Sequence, residues 1–174
     1  METSFHIRRL APPEAREAAT SLAAVLIDCV RGGASVSFMA DMTEAEAVEF
    51  WRGELGAGDG RVILVAEDAE GLFGVVQVVP AWPPNQPHRV DIAKLLVHRR
   101  GRRRGAAAAL MRAAEAAARE MGRTLMVLDT VTDSPADRLY DSLGWTRAGV
   151  IPDYALMPDG APCPTTYFRR DLRS

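Results

Sequence analysis

Residues 97–111 read VHRRGRRRGAAAALM, five arginines and two glycines ahead of a block of alanines. The stretch before it, VDIAKLLV (residues 90–97), is apolar and short enough for a central strand. The stretch after it, Gly105 to Met121, has the alanine content of a long helix and is closed by Gly122. TLMVLDT (residues 124–130) then reads as another buried strand. The basic run is therefore the turn between a strand and a helix. Taken by itself it suits a nucleic-acid backbone, one phosphorylated ligand or plain solvent.

Outward from this unit, residues 5–10 alternate as a first strand, and Pro12-Pro13 opens a helix that runs from Glu14 to Val30 and stops at Gly32-Gly33. ASVSFMADM (residues 34–42) has no clear period. Thr43 and Glu46 have capping-box spacing for a short helix to about Trp51. RVILVAED and LFGVVQVV, joined by a turn, predict a hairpin. AWPPNQPH is too rich in proline for a regular element. Ser134 to Leu143 predicts a short helix ended by Gly144. WTRAGVI and TTYFRRDL predict closing strands with a proline-rich loop between them. The order predicts one mixed α/β domain over residues 1–174.

The net charge of −2 over 174 residues makes the basic run a local feature, whereas nucleic-acid binding scales with the phosphates neutralised. Cys29 and Cys163 have neither metal nor disulfide spacing. No apolar span reaches transmembrane length, and no leader pattern is visible. These features predict a soluble, cytoplasmic protein with no metal, no nucleic acid and no membrane among its partners.

A helix start offers unpaired amides and partial positive charge, and phosphate binds there. Gly105 removes a side chain where a ligand would approach, and Ala106 and Ala107 keep the first turn uncrowded. Arg102-Arg103-Arg104-Gly105-Ala106-Ala107 fits the Arg/Gln-x-x-Gly-x-Gly/Ala motif of the GNAT superfamily of N-acetyltransferases. ADRLYDSLGWTRAGV (residues 136–150) resembles that superfamily's later helix-and-strand segment. PPNQPHR, KLLVHRR, VLDT and GVIPDYALMPDGAPC are similar to the tabtoxin-resistance acetyltransferase group.

The resemblance implies a largely antiparallel sheet with a splayed central strand pair, flanked by helices. It implies acetyl-CoA as co-substrate and direct transfer to the amine of a small molecule, an amino-acid-like toxin or antibiotic among the candidates. Arg102, Arg103, Arg104, Gly105, Ala106 and Ala107 would hold the pyrophosphate. Leu95, Leu96 and Val97 would offer backbone to the pantetheine and thioester. Tyr140 would protonate the leaving thiolate, and Asp129 would orient or deprotonate the amine. The superfamily often has an asparagine where Thr132-Asp133-Ser134 stand, so Ser134 is the candidate replacement. Phe38 and Met39 would line the acceptor pocket.

From the residues themselves, His88 is a candidate base because its ordinary pKa lies near neutrality. Asn85 and Gln86 could read polar groups, Asp91 could attract an ammonium, and Glu67 is an outside candidate. Simple alternation places Lys94 with Ile92 and Leu96 on one face. Three alternatives stand beside the small-molecule reading: a peptide acetyltransferase, a non-catalytic acyl-CoA sensor and a nucleic-acid binder. A homodimer is the oligomer common among such domains.

Overall fold

In a computed structural model the chain is described over residues 4–11 and 14–173. Pro12-Pro13, read as the opening of the first helix, lies outside the described residues.

Seven strands form one sheet: β1 (His6–Arg9), β2 (Val62–Asp68), β3 (Gly71–Pro80), β4 (Arg89–Val97), β5 (Leu125–Val131), β6 (Thr146–Leu156) and β7 (Pro162–Asp171). Their spatial order is β1-β2-β3-β4-β5-β7-β6. Every neighbouring pair is antiparallel except β4 and β5.

Helix α1 (Ala15–Arg31) and helix α2 (Glu44–Leu55) cover one face. Alternate side chains of the strands meet them there, Ile63 and Val65 from β2 and Val75 from β3. Thr43 caps α2 through the reciprocal bonds its spacing predicts, and the helix continues past Trp51 to Leu55. Helix α3 (Ala106–Glu120) covers the other face, and helix α4 (Pro135–Ser142) lies beside β5. The alanines of α3 let its axis approach closely, with Ala106, Ala114, Ala117 and Ala118 buried against Val76, Val78, Val90 and Ile92.

Two departures from strand regularity position the site. β4 and β5 pair only through Arg89–Leu125, Val90–Met126 and Asp91–Val127, and beyond that rung they diverge. In addition, β4 slips register against β3 between its pairings at Ala93 and Leu96, where Lys94 takes a left-handed φ of 51°. This bulge overturns the alternation expected along VDIAKLLV. An extra residue flips the side-chain phase, so Ile92 joins the α3 core and Leu96 the α1–α2 core.

The closing strands are longer than expected. β6 runs through Pro152 to Leu156, and β7 begins at Pro162. Proline is tolerated because β6 is the sheet edge, and the β6–β7 register shifts across Pro152, Asp153 and Tyr154, with Asp153 at φ 50°.

Candidate active site

The basic turn leaves β4 through His98, passes a short 3-10 turn at Arg99–Gly101 and enters α3 at Gly105. Gly101 fits because the Phe73 ring fills the space a side chain would need; a Cβ there would lie 2.1 Å from the ring. Gly105 has φ 79°, the left-handed region where glycine is unstrained. A Cβ at Gly105 would meet no atom within 4 Å. Space is therefore open beside Gly105, at the helix start where the first amides have no acceptors of their own along the helix.

The arginines divide into two groups. Arg100 and Arg104 both bind Asp68, at 2.9 and 2.8 Å, and both stack on Phe73, at 5.1 and 4.8 Å from its centre. Asp68 is only 4% exposed, and the two guanidiniums hold its carboxyl down at about 2. Arg99 binds buried Asp28 through its backbone amide, at 2.8 Å, and through its guanidinium. Arg102 and Arg103 are exposed. Arg102 donates to the Val97 carbonyl at 3.3 Å and faces Asp28 at 4.0 Å. Arg104, which the motif places with Arg102 at the pyrophosphate, is engaged here by Asp68 as an internal brace of the turn. Asp68, which anchors that brace, carries no sequence signal beyond a strand-end carboxylate.

Asp129 and Tyr140 approach the splay from its two faces. Asp129 stands two residues beyond Val127, the last β4–β5 rung, beside Tyr167 of β7, on the face that carries α1 and α2. It is solvent-exposed, yet the protein around it displaces enough water to raise its pKa above the usual carboxylate value, with Asp91 adding to the rise and Lys94 opposing it. Tyr140 comes from α4 on the opposite face, 5% exposed, its ring 5.9 Å from Trp145 and 5.6 Å from Phe168. Burial, and secondarily the charge of Asp129, raises its pKa well above the ordinary phenol value. The hydroxyl therefore stays protonated across the working pH range.

The wall on Asp129's face is the α1–α2 connection. Phe38 packs edge-on against Phe50, 5.0 Å between centres, and Met39 is 41% exposed. Ser35 Oγ donates to the Leu156 carbonyl at 2.7 Å, and the Ala40 amide donates to the Pro158 carbonyl at 3.0 Å. These bonds carry the connection from the end of β4 across to the β6–β7 hairpin. Tyr167 donates to Tyr154 at 2.6 Å, and that bond with partial burial pushes the Tyr167 hydroxyl up to about 12. Phe50, Ser37, Tyr154 and Tyr167 were not singled out from sequence. Only the register of β5 against β7 brings Tyr167 beside Asp129.

Other candidates lie elsewhere or are engaged. His88 is exposed at the closed end of the β4–β5 pair, where its carbonyl accepts from Thr124 and Leu125. Four residues of β5 separate that end from Asp129, about 13 Å of strand, so the His88 backbone stands well away from the Asp129 carboxylate. Gln86 accepts from Arg89 at 2.7 Å, and Arg89 in turn binds Asp91; Asn85 is exposed in the same loop. Glu67 binds Arg8 at 2.7 Å toward the β1 edge. Ser134 caps α4 by accepting from Asp137 at 3.1 Å. The Val97 carbonyl accepts from both Arg102 and Cys29; the Leu95 and Leu96 backbone lies past the last β5 rung. Among the described residues no cluster of three His, Cys, Asp or Glu side chains is placed to hold a metal ion, and no helix is long and apolar enough to cross a membrane.

Comparison with known proteins places these features in context. The model of the acetyltransferase (GNAT) family matches residues 20–145. A human protein, N-acetyltransferase 8, is 35% identical over 92 residues, 52% of this chain and 40% of the relative, so the match spans less than half of that protein. The fold is that of an N-acetyltransferase from Staphylococcus aureus Mu50, with a TM-score of 0.78 at 16% identity, covering 97% of this chain and 99% of the other. It is equally that of yncA from Salmonella typhimurium, solved with its cofactor acetyl-CoA, with a TM-score of 0.77 at 18% identity over 97% and 94% of the two chains.

Proposed function

This chain belongs to the acetyltransferase (GNAT) family, and we propose that it acts as a single domain that transfers the acetyl group of acetyl-CoA directly to the amine of a small molecule. The observation that carries this reading is the divergence of β4 and β5 after Asp91–Val127, with Asp129 on one face of the gap and Tyr140 on the other. When bound, acetyl-CoA supplies the thioester whose acetyl carbon the amine attacks.

The open space at Gly105 and the unpaired α3 amides suit the pyrophosphate, with Arg102 and Arg103 adding charge at the mouth. Beyond the last β5 rung, the Leu95 and Leu96 backbone is positioned to offer amides to the thioester oxygen. Asp129 orients the amine and takes its proton, directly or through water. As the carbon–nitrogen bond forms and the carbon–sulfur bond breaks, the Tyr140 hydroxyl gives its proton to the departing thiolate. Buried Cys29 and Cys163 take no part.

The bonds tying the α1–α2 connection to the β6–β7 hairpin support a small acceptor, because they wall off a groove that a peptide would need open. The resemblance to the tabtoxin-resistance group makes antibiotics and amino-acid-like toxins the candidates. Two free cysteines suit a reducing cytoplasm. The exposed β6 edge, with Val150, Ile151 and Leu156 in solvent, suits self-association into a homodimer.

Incubation with acetyl-CoA and a panel of small amines, read by thiol release and by the mass of the product, tests this reading. We expect an acetylated amine and one thiol per product. Tight binding of acetyl-CoA without transfer to any amine would overturn it in favour of a sensor.

A further inference from the structure

Lys94 is the one lysine among the 21 lysines and arginines of the chain. It occupies the β4 bulge at φ 51°. An L side chain pays about 1–2 kcal/mol for that conformation, and glycine would adopt it freely. The backbone thus calls for glycine, and a lysine stands there against the strain. Strain retained in a cleft points to the side chain itself.

The ammonium donates to Ser37 Oγ at 3.1 Å and lies 5.6 and 5.7 Å from the ring centres of Phe38 and Phe50. Among the described residues no carboxylate stands within 4.0 Å of it. Glu54 acts from further away and is itself bound to Arg61; Asp129 acts across the splay. An ammonium has three donors, and one of them is met by Ser37. A half-buried cation with no carboxylate in contact is costly, and this one lies on the acceptor face, on the same side as Asp129.

We infer that Lys94 binds an anionic group carried by the acceptor, so that the acceptor holds its amine toward Asp129 and its anion toward Lys94. The inference rests on the acetyl-transfer reading. It narrows the proposed small-amine acceptors to molecules that also bear an anion, and names the residue that selects for them.

A single lysine gives a single reporter. In protein labelled with ¹³C,¹⁵N-lysine and saturated with CoA, the Lys94 side-chain signal is followed while N-acetylglycine, N-acetylaminomethylphosphonate or N-acetylglycinamide is added. We expect the anions to move the signal saturably and the neutral amide to leave it in place. The anion that saturates first tells whether a carboxylate or a phosphonate is preferred. Lys94→Gly relieves the backbone strain and so retains the fold. By calorimetry it should bind acetyl-CoA as wild type does, while losing about tenfold or more in affinity for the preferred anion, the worth of one charge-assisted hydrogen bond. Equal shifts with the amide, or no shift with any probe in CoA-saturated protein, would overturn the inference and leave the transfer reading intact. Failure to take up CoA would defeat the transfer reading itself.

Discussion

In the proposed reaction the proton work is divided between Tyr140, a buried phenol, and Asp129, a solvent-exposed carboxylate. Burial keeps Tyr140 protonated, the state a thiolate acid needs. Tyr140→Phe should leave acetyl-CoA affinity near wild type and cut turnover by about a hundredfold, the usual scale of a lost general acid; single-turnover kinetics read this directly, and a full-rate variant would remove Tyr140 from that role. Asp129 serves as a base only when ionised, and its pKa lies above the ordinary carboxylate value. Turnover should therefore fall as pH drops through that raised value, and Asp129→Asn should flatten this acidic limb of the pH–rate profile as well as slow the reaction. Gly101 makes a purely steric demand. Gly101→Ala drives a methyl into Phe73 and should cost about 1–3 kcal/mol, seen as a lower Tm.

The basic turn, as an element, is built from two kinds of arginine, and this is where sequence and structure part. The strand–turn–helix order and the glycine at the helix start were legible, because they depend on residues close in sequence. The role of Arg104 was not, because Asp68 reaches it from a strand 36 residues away. The same holds for the β4 bulge. Nothing within VDIAKLLV marks a bulge, and only pairing with β3 reveals the extra residue at Lys94. His88 looked suitable by pKa and by its loop, whereas its distance from Asp129 is set by the parallel register of β4 and β5. The Asp68 brace also has a pH signature. A carboxylate whose folded pKa is depressed adds stability in full above its unfolded value near 3.8 and loses it as pH falls toward about 2. Acid unfolding of wild type should therefore show a component in that window that Asp68→Asn lacks, and the variant should hold acetyl-CoA more weakly at neutral pH because its turn is loosened.

Across the whole molecule, helices cover both faces of the sheet over β2–β4, and at its side β4 and β5 separate, with a helix start, a phenol and a carboxylate around the gap. The covered sheet pays for that opening through the α3 and α1–α2 cores, so the cleft can stay polar and strained while the fold remains rigid. The proposed transfer requires that this gap and the Gly105 turn receive acetyl-CoA. Calorimetric titration of acetyl-CoA into wild type and into Gly105→Trp, each first shown to be folded by its thermal transition, tests that most directly. Saturable binding in wild type that disappears in the folded variant is the predicted result. No binding by wild type, or undiminished binding by the variant, would contradict it.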